Sequence, residues 1–195
     1  MGSVAQAFDY LGFTPHLIRG DTKEVQNITH MVLPGVGTFE FAMTEIRKRQ
    51  LDRVITSHIE SGQPFLGICV GMQVLMREGR EFGTHAGLGI IDGHTEKLDV
   101  IAPHAPCPHI GWEPVTFSPE SQFEGMNAER PYFYFNHSYV CQPVNRTINT
   151  AQTENANWPV VMERGNIIGI QCHPEKSHTA GLELMRRFLK TRENV

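Results

Sequence analysis

The chain has 195 residues, of which 40% are hydrophobic and 19% are charged, a composition typical of one globular domain. Its net charge of −4 provides no basic surface for nucleic acid, and no run approaches the roughly 18 apolar residues that cross a membrane. The four cysteines contain no CxxC pair, which predicts neither a zinc site nor a disulfide framework. We therefore expect one domain over residues 1–195, without a metal or other cofactor, in a reducing cytoplasm.

The first third of the chain alternates helices with short apolar strands. Apolar residues on one helical face, after a capping serine and before a glycine, predict a helix over residues 3–12 with no strand before it. A buried strand is predicted over residues 28–33, and the turn PGVG at Pro34–Gly37 separates it from helices that end at Gly62. This alternation favours a parallel sheet with helices on both faces.

The stretch Pro64–Gln73, PFLGICVGMQ, predicts a buried strand that turns sharply into a helix, with helix-compatible apolar residues as far as Met76. Gly67 and Gly71 flank Cys69, and small residues there permit the strained backbone of a nucleophile elbow. A cysteine at this corner lies at a helix N-terminus, which favours its thiolate. The alternative is that Cys69 is a small core residue, because cysteines are often buried.

The second half of the chain is richer in strands bounded by Gly, Pro, Asn or Asp. They are predicted over residues 88–91, 112–117, 132–140, 148–153, 160–163 and 167–172. A hairpin turn is predicted at residues 164–166, and a final amphipathic helix over residues 179–190. The pattern indicates an α/β fold with a mixed, mostly parallel central sheet, helices on both faces and an antiparallel sheet portion.

Residues 101–109 combine three prolines with His104, Cys107 and His109. Three metal-binding side chains so close together suggest a metal site, but their spacing matches no zinc pattern. We interpret this segment as an extended loop.

A cysteine nucleophile needs a base for its proton and a third group that orients the base. His173 directly follows the last predicted strand, and Glu175 is two residues farther on. A strand end presents side chains to a crevice, and a carboxylate at this distance can fix the imidazole tautomer. We predict a triad of Cys69, His173 and Glu175, although His173 taken alone favours a surface histidine at a strand end and Glu175 taken alone favours a charge at a helix start. Histidines among polar or turn residues are interpreted as solvated: His16, His30, His58, His85, His94 and His178.

These residues carry a family resemblance. PFLGICVGMQ followed by QCHPEKS resembles the class I, triad-type glutamine amidotransferases, whose elbow is GxCxG and whose base and acid lie in HPE. Within that family, PGVG, PHIGW, YFYFNHSY and HPEKS together are similar to the glutaminase subunits of imidazole glycerol phosphate synthases. The resemblance covers nearly the whole chain.

The resemblance implies that L-glutamine is hydrolysed to glutamate and ammonia through a thioester on Cys69, with His173 as the base and Glu175 as its orienting acid. It implies an oxyanion site formed by the backbone of Gly35, Val36 and Val70. It also implies that the amino-acid end of glutamine is bound by Gly37, Gln73, Ser138 and Tyr139.

A partner is implied as well, because ammonia that escapes into neutral water is protonated. The implied partner is a cyclase subunit with a (β/α)8 barrel, in a heterodimer that makes imidazole glycerol phosphate and an aminoimidazole carboxamide ribotide for histidine biosynthesis. The residues implied near this interface are Trp112, Tyr134 and Lys176. Without the resemblance, the residue types alone favour no interface: Trp112 would be a core residue, Tyr134 an aromatic residue within a strand and Lys176 a solvated side chain.

The sequence departs from the family pattern in three places. Family members begin with a strand before the first helix, so we hypothesise that the chain is a truncated form of a longer protein. Glu113 stands where asparagine is common, and Cys172, which we interpret as a packing residue, stands where an aromatic is usual. Two alternatives remain open: an amidotransferase subunit for surface-sugar biosynthesis, and a non-catalytic subunit.

Overall fold

The computed structural model describes residues 2–20, 28–126, 130–145, 148–154 and 158–191. The helices are α1 (Gly2–Tyr10), α2 (Phe39–Lys48), α3 (Leu51–Glu60), α4 (Val70–Gln73), α5 (Leu98–Ile101) and α6 (His178–Phe188), with a 3-10 helix at Pro174–Lys176. The strands are β1 (Met31–Gly35), β2 (Phe65–Cys69), β3 (Met76–Gly79), β4 (His85–Ala86), β5 (Ile91–Lys97), β6 (His109–Phe117), β7 (Tyr132–His137), β8 (Tyr139–Pro143), β9 (Asn149–Thr153), β10 (Val161–Arg164) and β11 (Ile167–Ile170). No helix within these ranges is long and apolar enough to span a membrane.

Seven strands form one sheet in the order β1-β2-β11-β10-β9-β6-β7. β2 is parallel to β1 on one side and to β11 on the other, whereas the remaining pairs in this sheet are antiparallel. β4, β3, β5 and β8 form a second sheet. The predicted mixed α/β architecture with an antiparallel portion is confirmed, and the elbow lies in its parallel part.

The buried strand β2 is the centre of that parallel part. Its two neighbours cover both edges, and Leu66 and Ile68 are at most 1% exposed, which explains the continuous apolar run in the sequence. The register pairs Gly35 with Cys69 and Ile170 with Ile68. The carboxyl ends of three parallel strands therefore meet at Cys69.

The helix after the elbow is shorter than predicted. α4 is a single turn, and the chain continues as β3, which is parallel to β5. The prediction of a helix through Met76 was wrong, because residues 74–75 form a turn and Met76 begins β3, although all three side chains are fully buried. Pro34 likewise lies inside β1 rather than ending it. Among the described residues β1 pairs with β2 alone, so this edge tolerates a residue without an N–H.

The predicted hairpin in the second half is confirmed. β10 and β11 are antiparallel and joined by Gly165 and Asn166, with Gly165 at φ +58°. The final helix, predicted over residues 179–190, is α6 and begins one residue earlier, at His178. Residues 102–108 connect α5 to β6, and the described chain contains no group of three or more side chains placed to hold a metal.

A cavity of about 570 Å³ lies beside β1, at the edge of the large sheet. Side chains of α1, β1 and the segments 13–18 and 28–30 line it, and most of them are apolar. Within residues 2–20 the first element is the helix α1, as predicted.

Candidate active site

Cys69 has a strained backbone at the point where β2 becomes α4. Its dihedral angles, φ 53° and ψ −111°, lie in a region that residues other than glycine rarely adopt. A side chain at Gly71 would overlap the carbonyl oxygen of Leu33, and a side chain at Gly67 would overlap the backbone of Gly71. These two glycines therefore allow α4 to pack directly against β1 and β2, which holds Cys69 at a sharp corner.

The short helix α4 contributes little to the electrostatics of this corner. A helix of four residues carries only a fraction of a full helix dipole. Cys69 is 4% exposed, and a thiolate that is out of contact with water needs hydrogen-bond donors. Two side chains contact its sulfur as potential donors, His173 and Gln171.

His173 lies between Cys69 and Glu175. Its Nδ1 is 3.0 Å from Oε1 of Glu175, and its ring also hydrogen-bonds the Cys69 sulfur. Burial opposes a charge on His173, but hydrogen bonds and charge interactions with Cys69 and Glu175 outweigh burial and raise its pKa to about 9. Burial also opposes ionisation of Glu175, whereas the hydrogen bond from His173 prevails and lowers the Glu175 pKa. The imidazole is therefore protonated at neutral pH, beside an ionised carboxylate.

The backbone of His173 is fixed by hydrogen bonds to β7. Its N–H donates to the Tyr134 carbonyl at 2.8 Å, and its carbonyl accepts from the Ser177 hydroxyl at 2.6 Å. The Ser177 oxygen also accepts from the Tyr134 N–H at 3.0 Å. Pro174 then begins the 3-10 helix that contains Glu175.

The backbone groups predicted as an oxyanion site, those of Gly35, Val36 and Val70, lie against or beside the elbow. Gly35 pairs with Cys69, and a β-carbon on Gly35 would lie 2.9 Å from both the Gly71 nitrogen and the Val70 β-carbon. Val36 follows with 74% of its surface exposed. A residue without a side chain is therefore required where the PGVG loop meets α4.

The residues predicted to bind the amino-acid end of glutamine occupy two segments. Gly37, at φ +103°, leads into α2, whose N-cap is Thr38. Gln73 is 4% exposed, and its amide nitrogen donates to the Tyr139 carbonyl at 3.0 Å. Ser138 immediately precedes Tyr139 at the start of β8. The structure thus joins Gln73 to the Ser138–Tyr139 segment, which is far from it in sequence.

Two further residues that the sequence analysis did not single out belong to this region. Gln171 is fully buried directly after β11, and its amide nitrogen lies 3.7 Å from the Cys69 sulfur. The carboxylate of Glu81 accepts from the Phe39 N–H at 2.7 Å, at the start of α2. Burial and then the charge of Glu81 raise the pKa of Tyr139. A polar residue that ends an apolar strand was a usable signal for Gln171, but nothing in the sequence links Glu81 to the elbow.

A buried histidine pair lies beside Tyr139. Burial, together with the nearby His109, lowers the pKa of His137 to about 3, so this ring is neutral. Nδ1 of His137 is 3.2 Å from the Tyr139 carbonyl oxygen, and its Nε2 is 3.1 Å from Nδ1 of His109. Nε2 of His109 lies 3.6 Å from Oε1 of Glu113. The unusual residue Glu113 thus adds a carboxylate to this pair.

Cys172 and His58 are two further residues whose burial bears on an interpretation made from the sequence. Cys172 is 2% exposed and burial raises the pKa of its thiol, as expected for a packing residue. The interpretation of His58 as solvated was wrong, because its side chain is buried and its Nε2 lies 3.0 Å from the Pro64 carbonyl oxygen. This contact ties the last turn of α3 to the residue before β2.

Trp112, Tyr134 and Lys176 form a cluster at the surface. Trp112 and Tyr134 are cross-strand neighbours with ring centroids 5.8 Å apart, and Nζ of Lys176 lies 5.5 Å from the Tyr134 ring centroid. Trp112 is 44% exposed and stacks on His178, so the alternative of a core tryptophan was wrong. The Tyr134 ring centroid is also 6.3 Å from that of His173.

This arrangement has the parts of a nucleophilic catalyst. The thiol of Cys69 can attack an acyl carbon, protonated His173 can supply a proton to a leaving amine, and Glu175 orients the imidazole. The reaction class indicated by the geometry is therefore acyl transfer from an amide or ester.

Comparisons with known proteins place this geometry in a family. The family described as Glutamine amidotransferase class-I matches residues 2–191. Imidazole glycerol phosphate synthase subunit HisH from Helicobacter hepaticus is 37% identical over 97% of this chain and 92% of its own length, and that from Aquifex aeolicus is 37% identical over 99% and 92%. A solved glutamine amidotransferase has a TM-score of 0.76 at 19% identity, covering 97% of this chain and 92% of that one. Because the family match includes the elbow, the PGVG loop and the strand end at His173, the chain belongs to the class-I glutamine amidotransferase family.

Proposed function

We propose that this chain is the glutaminase subunit that hydrolyses L-glutamine to glutamate and ammonia for an imidazole glycerol phosphate synthase in histidine biosynthesis. The observation that carries the proposal is the buried cluster of Cys69, His173 and Glu175 at a strained elbow. The HisH names of relatives at 37% identity favour this synthase over a surface-sugar pathway.

The first half of the reaction begins with Cys69 as a thiolate and His173 as an imidazolium. The sulfur attacks the side-chain amide carbon of glutamine, and the carbonyl electron pair moves to the oxygen. Backbone N–H groups of Gly35, Val36 and Val70 stabilise this oxyanion. When the carbonyl re-forms, the departing nitrogen takes the proton of His173 and leaves as ammonia, and a γ-glutamyl thioester remains on the sulfur.

The second half hydrolyses the thioester. Neutral His173 accepts a proton from a water molecule whose oxygen attacks the thioester carbon, and glutamate leaves as the C–S bond breaks. Cys69 returns to its thiolate form beside the imidazolium. Glu175, with Oε1 3.0 Å from Nδ1 of His173, keeps that nitrogen protonated and directs Nε2 to the reacting atoms.

The substrate carries an ammonium and a carboxylate that must be bound at a distance from the sulfur. Glu81 is an anionic side chain close to Tyr139 and to the start of α2, which suits the ammonium group. The backbone at Gly37 and Ser138, together with Tyr139 and the amide of Gln73, completes this part of the cleft.

The ammonia is used by a partner subunit. The proposed partner is a cyclase with a (β/α)8 barrel, which binds as a heterodimer in the cytoplasm. The cluster of Trp112, Tyr134 and Lys176 suits this interface because it combines exposed aromatic rings with a cation, the residue types that often dominate binding energy. Tyr134 of this cluster is also the backbone hydrogen-bond partner of His173.

The experiment measures glutamate release from L-glutamine by the chain alone, with a purified cyclase subunit, and with that subunit and its nucleotide ligand. We expect a low rate alone and a strong increase when both are added. Cys69→Ala removes this activity, whereas Cys107→Ser serves as a matched control with full activity. A folded wild-type chain that releases no glutamate under any of these conditions would contradict the proposal and support a non-catalytic subunit.

A further inference from the structure

Gln171 ends a row of side-chain hydrogen bonds that leads to the Cys69 sulfur. The amide nitrogen of Gln73 donates to the Tyr139 carbonyl at 3.0 Å and to the side-chain oxygen of Gln171 at 3.2 Å. The amide nitrogen of Gln171 then faces the sulfur at 3.7 Å. The chemistry of the triad does not require any of these amides.

The direction of this row is set by its first member. A backbone carbonyl can only accept, so the side chain of Gln73 must present its NH2 group to Tyr139. That NH2 group also faces Gln171, which therefore must present its oxygen. The NH2 group of Gln171 is consequently directed at Cys69. Rotating either glutamine amide would place two acceptors or two donors against each other.

The position of Gln171 makes this contact hard to replace. The residue directly follows Ile170, which continues the register beside β2, and its N–H donates to the Val160 carbonyl at 2.9 Å. Its side chain is fully buried, so water does not compete for the amide. Hydrogen bonds to a charged acceptor are stronger than those to a neutral one, and a buried thiolate gains most from them.

We propose that the side-chain amide of Gln171 is a fixed hydrogen-bond donor to the Cys69 thiolate, which it stabilises and aims at the substrate. His173 holds the thiolate from one direction and Gln171 from another, while Gln73 and the Tyr139 carbonyl keep the Gln171 amide in place. This role adds a residue to the proposed glutaminase site, and its effect on catalysis rests on the proposed function. The contact itself is testable without glutamine.

The test compares the pH dependence of Cys69 alkylation by iodoacetamide in four proteins. The rate is followed by mass spectrometry of the peptide that contains Cys69, so the other cysteines do not interfere. Gln171→Met keeps the length of the side chain and removes the donor, and Gln171→Glu replaces the donor with an acceptor. Gln142→Met is the matched control, because Gln142 is a half-buried glutamine in β8 whose amide donates to the Cys141 carbonyl at 3.0 Å.

We expect the midpoint of thiolate formation to rise by about one pH unit in Gln171→Met, the size of one hydrogen bond to a charged group. It should rise further in Gln171→Glu, because a carboxylate then faces the thiolate, and stay at the wild-type value in Gln142→Met. In the glutaminase assay, Gln171→Met should lower kcat about tenfold or more with a small change in KM.

Unchanged midpoints in both Gln171 variants, with wild-type thermal unfolding, would overturn the proposal. Equal shifts in the Met and Glu variants would also overturn it, because they would indicate a packing effect and not a lost donor. The alkylation result is independent of glutaminase activity. A wild-type chain that fails to hydrolyse glutamine but shows the ordered shifts would reject the proposed function and retain the thiolate contact.

Discussion

The N–H of His173 donates to the carbonyl of Tyr134 at 2.8 Å, which links the proposed catalytic base to the surface cluster by one hydrogen bond. Tyr134 also holds Ser177, whose hydroxyl donates back to the His173 carbonyl. The ring of Tyr134 contacts Trp112 and Lys176 at the surface. A protein bound to this cluster therefore contacts the residue that positions the backbone of His173.

Replacing Trp112 with alanine is expected to weaken binding of the cyclase subunit by about tenfold or more, since a half-exposed tryptophan at a protein interface commonly contributes much of the affinity. Isothermal titration of the two subunits measures the effect. Phe41→Ala, which removes an exposed aromatic ring from α2, is the matched control and should bind as the wild type does. Equal affinities for Trp112→Ala and the wild type would place the interface elsewhere.

Replacing Glu175 with glutamine removes the negative charge that stabilises protonated His173. We expect kcat for glutamine hydrolysis to fall on the order of a hundredfold or more, because the imidazole loses its orienting acid. The pKa of His173, raised to about 9 in the wild type, should fall, which an NMR titration of the ring can measure. If the pKa of His173 in Glu175→Gln equalled that in the wild type, Glu175 would not be the group that keeps His173 protonated.

The raised pKa of His173 also predicts how stability depends on pH. Its pKa is about 9 in the folded chain, compared with 6.5 for an unperturbed histidine, so the folded state binds the proton more tightly. The stabilisation of the folded state by this proton is complete below pH 6.5 and is lost as the pH rises through about 9. Denaturant unfolding of the wild type and His173→Gln checks this, and their difference in free energy of unfolding should shrink between neutral pH and about pH 10. A constant difference over this range would contradict the protonation.

The histidine pair beside Tyr139 has a defined proton arrangement. Nδ1 of His137 must carry a proton, because its partner at 3.2 Å is a carbonyl oxygen, and Nε2 must then accept from Nδ1 of His109. With a pKa of about 3, His137 stays in this neutral tautomer from mildly acidic to alkaline pH. Nitrogen-detected NMR should show a protonated Nδ1 that does not titrate near neutrality. A midpoint between about pH 5 and about pH 8 would contradict this assignment.

The sequence predicted those parts of the structure whose signals are local. The glycines around Cys69, the apolar run of β2 and the turn at Gly165 each act within a few residues, and the structure contains the corner, the buried strand and the hairpin that they indicate. The placement of His173 beside Glu175 follows from a separation of two residues and a strand end.

The missed features depend on partners that are distant in sequence. Met76 was assigned to a helix because its pairing with β5 has no local signal. The polar end of an apolar strand marks Gln171 in the sequence, but its contact with Cys69 depends on the register of β11 beside β2. The role of His137 likewise depends on β6, which brings His109 to it. The burial of His58 likewise depends on how α3 packs against the start of β2.

The proposed function requires that Cys69 releases ammonia from glutamine and that the partner subunit uses it. The most direct measurement compares product formation by the reconstituted complex with glutamine or with added ammonia as the nitrogen source, for wild type and Cys69→Ala. We expect Cys69→Ala to lose turnover with glutamine and to keep wild-type turnover with ammonia. Retained turnover with glutamine would show that Cys69 is not the nucleophile, and loss of both activities would contradict the division of the reaction between the two subunits.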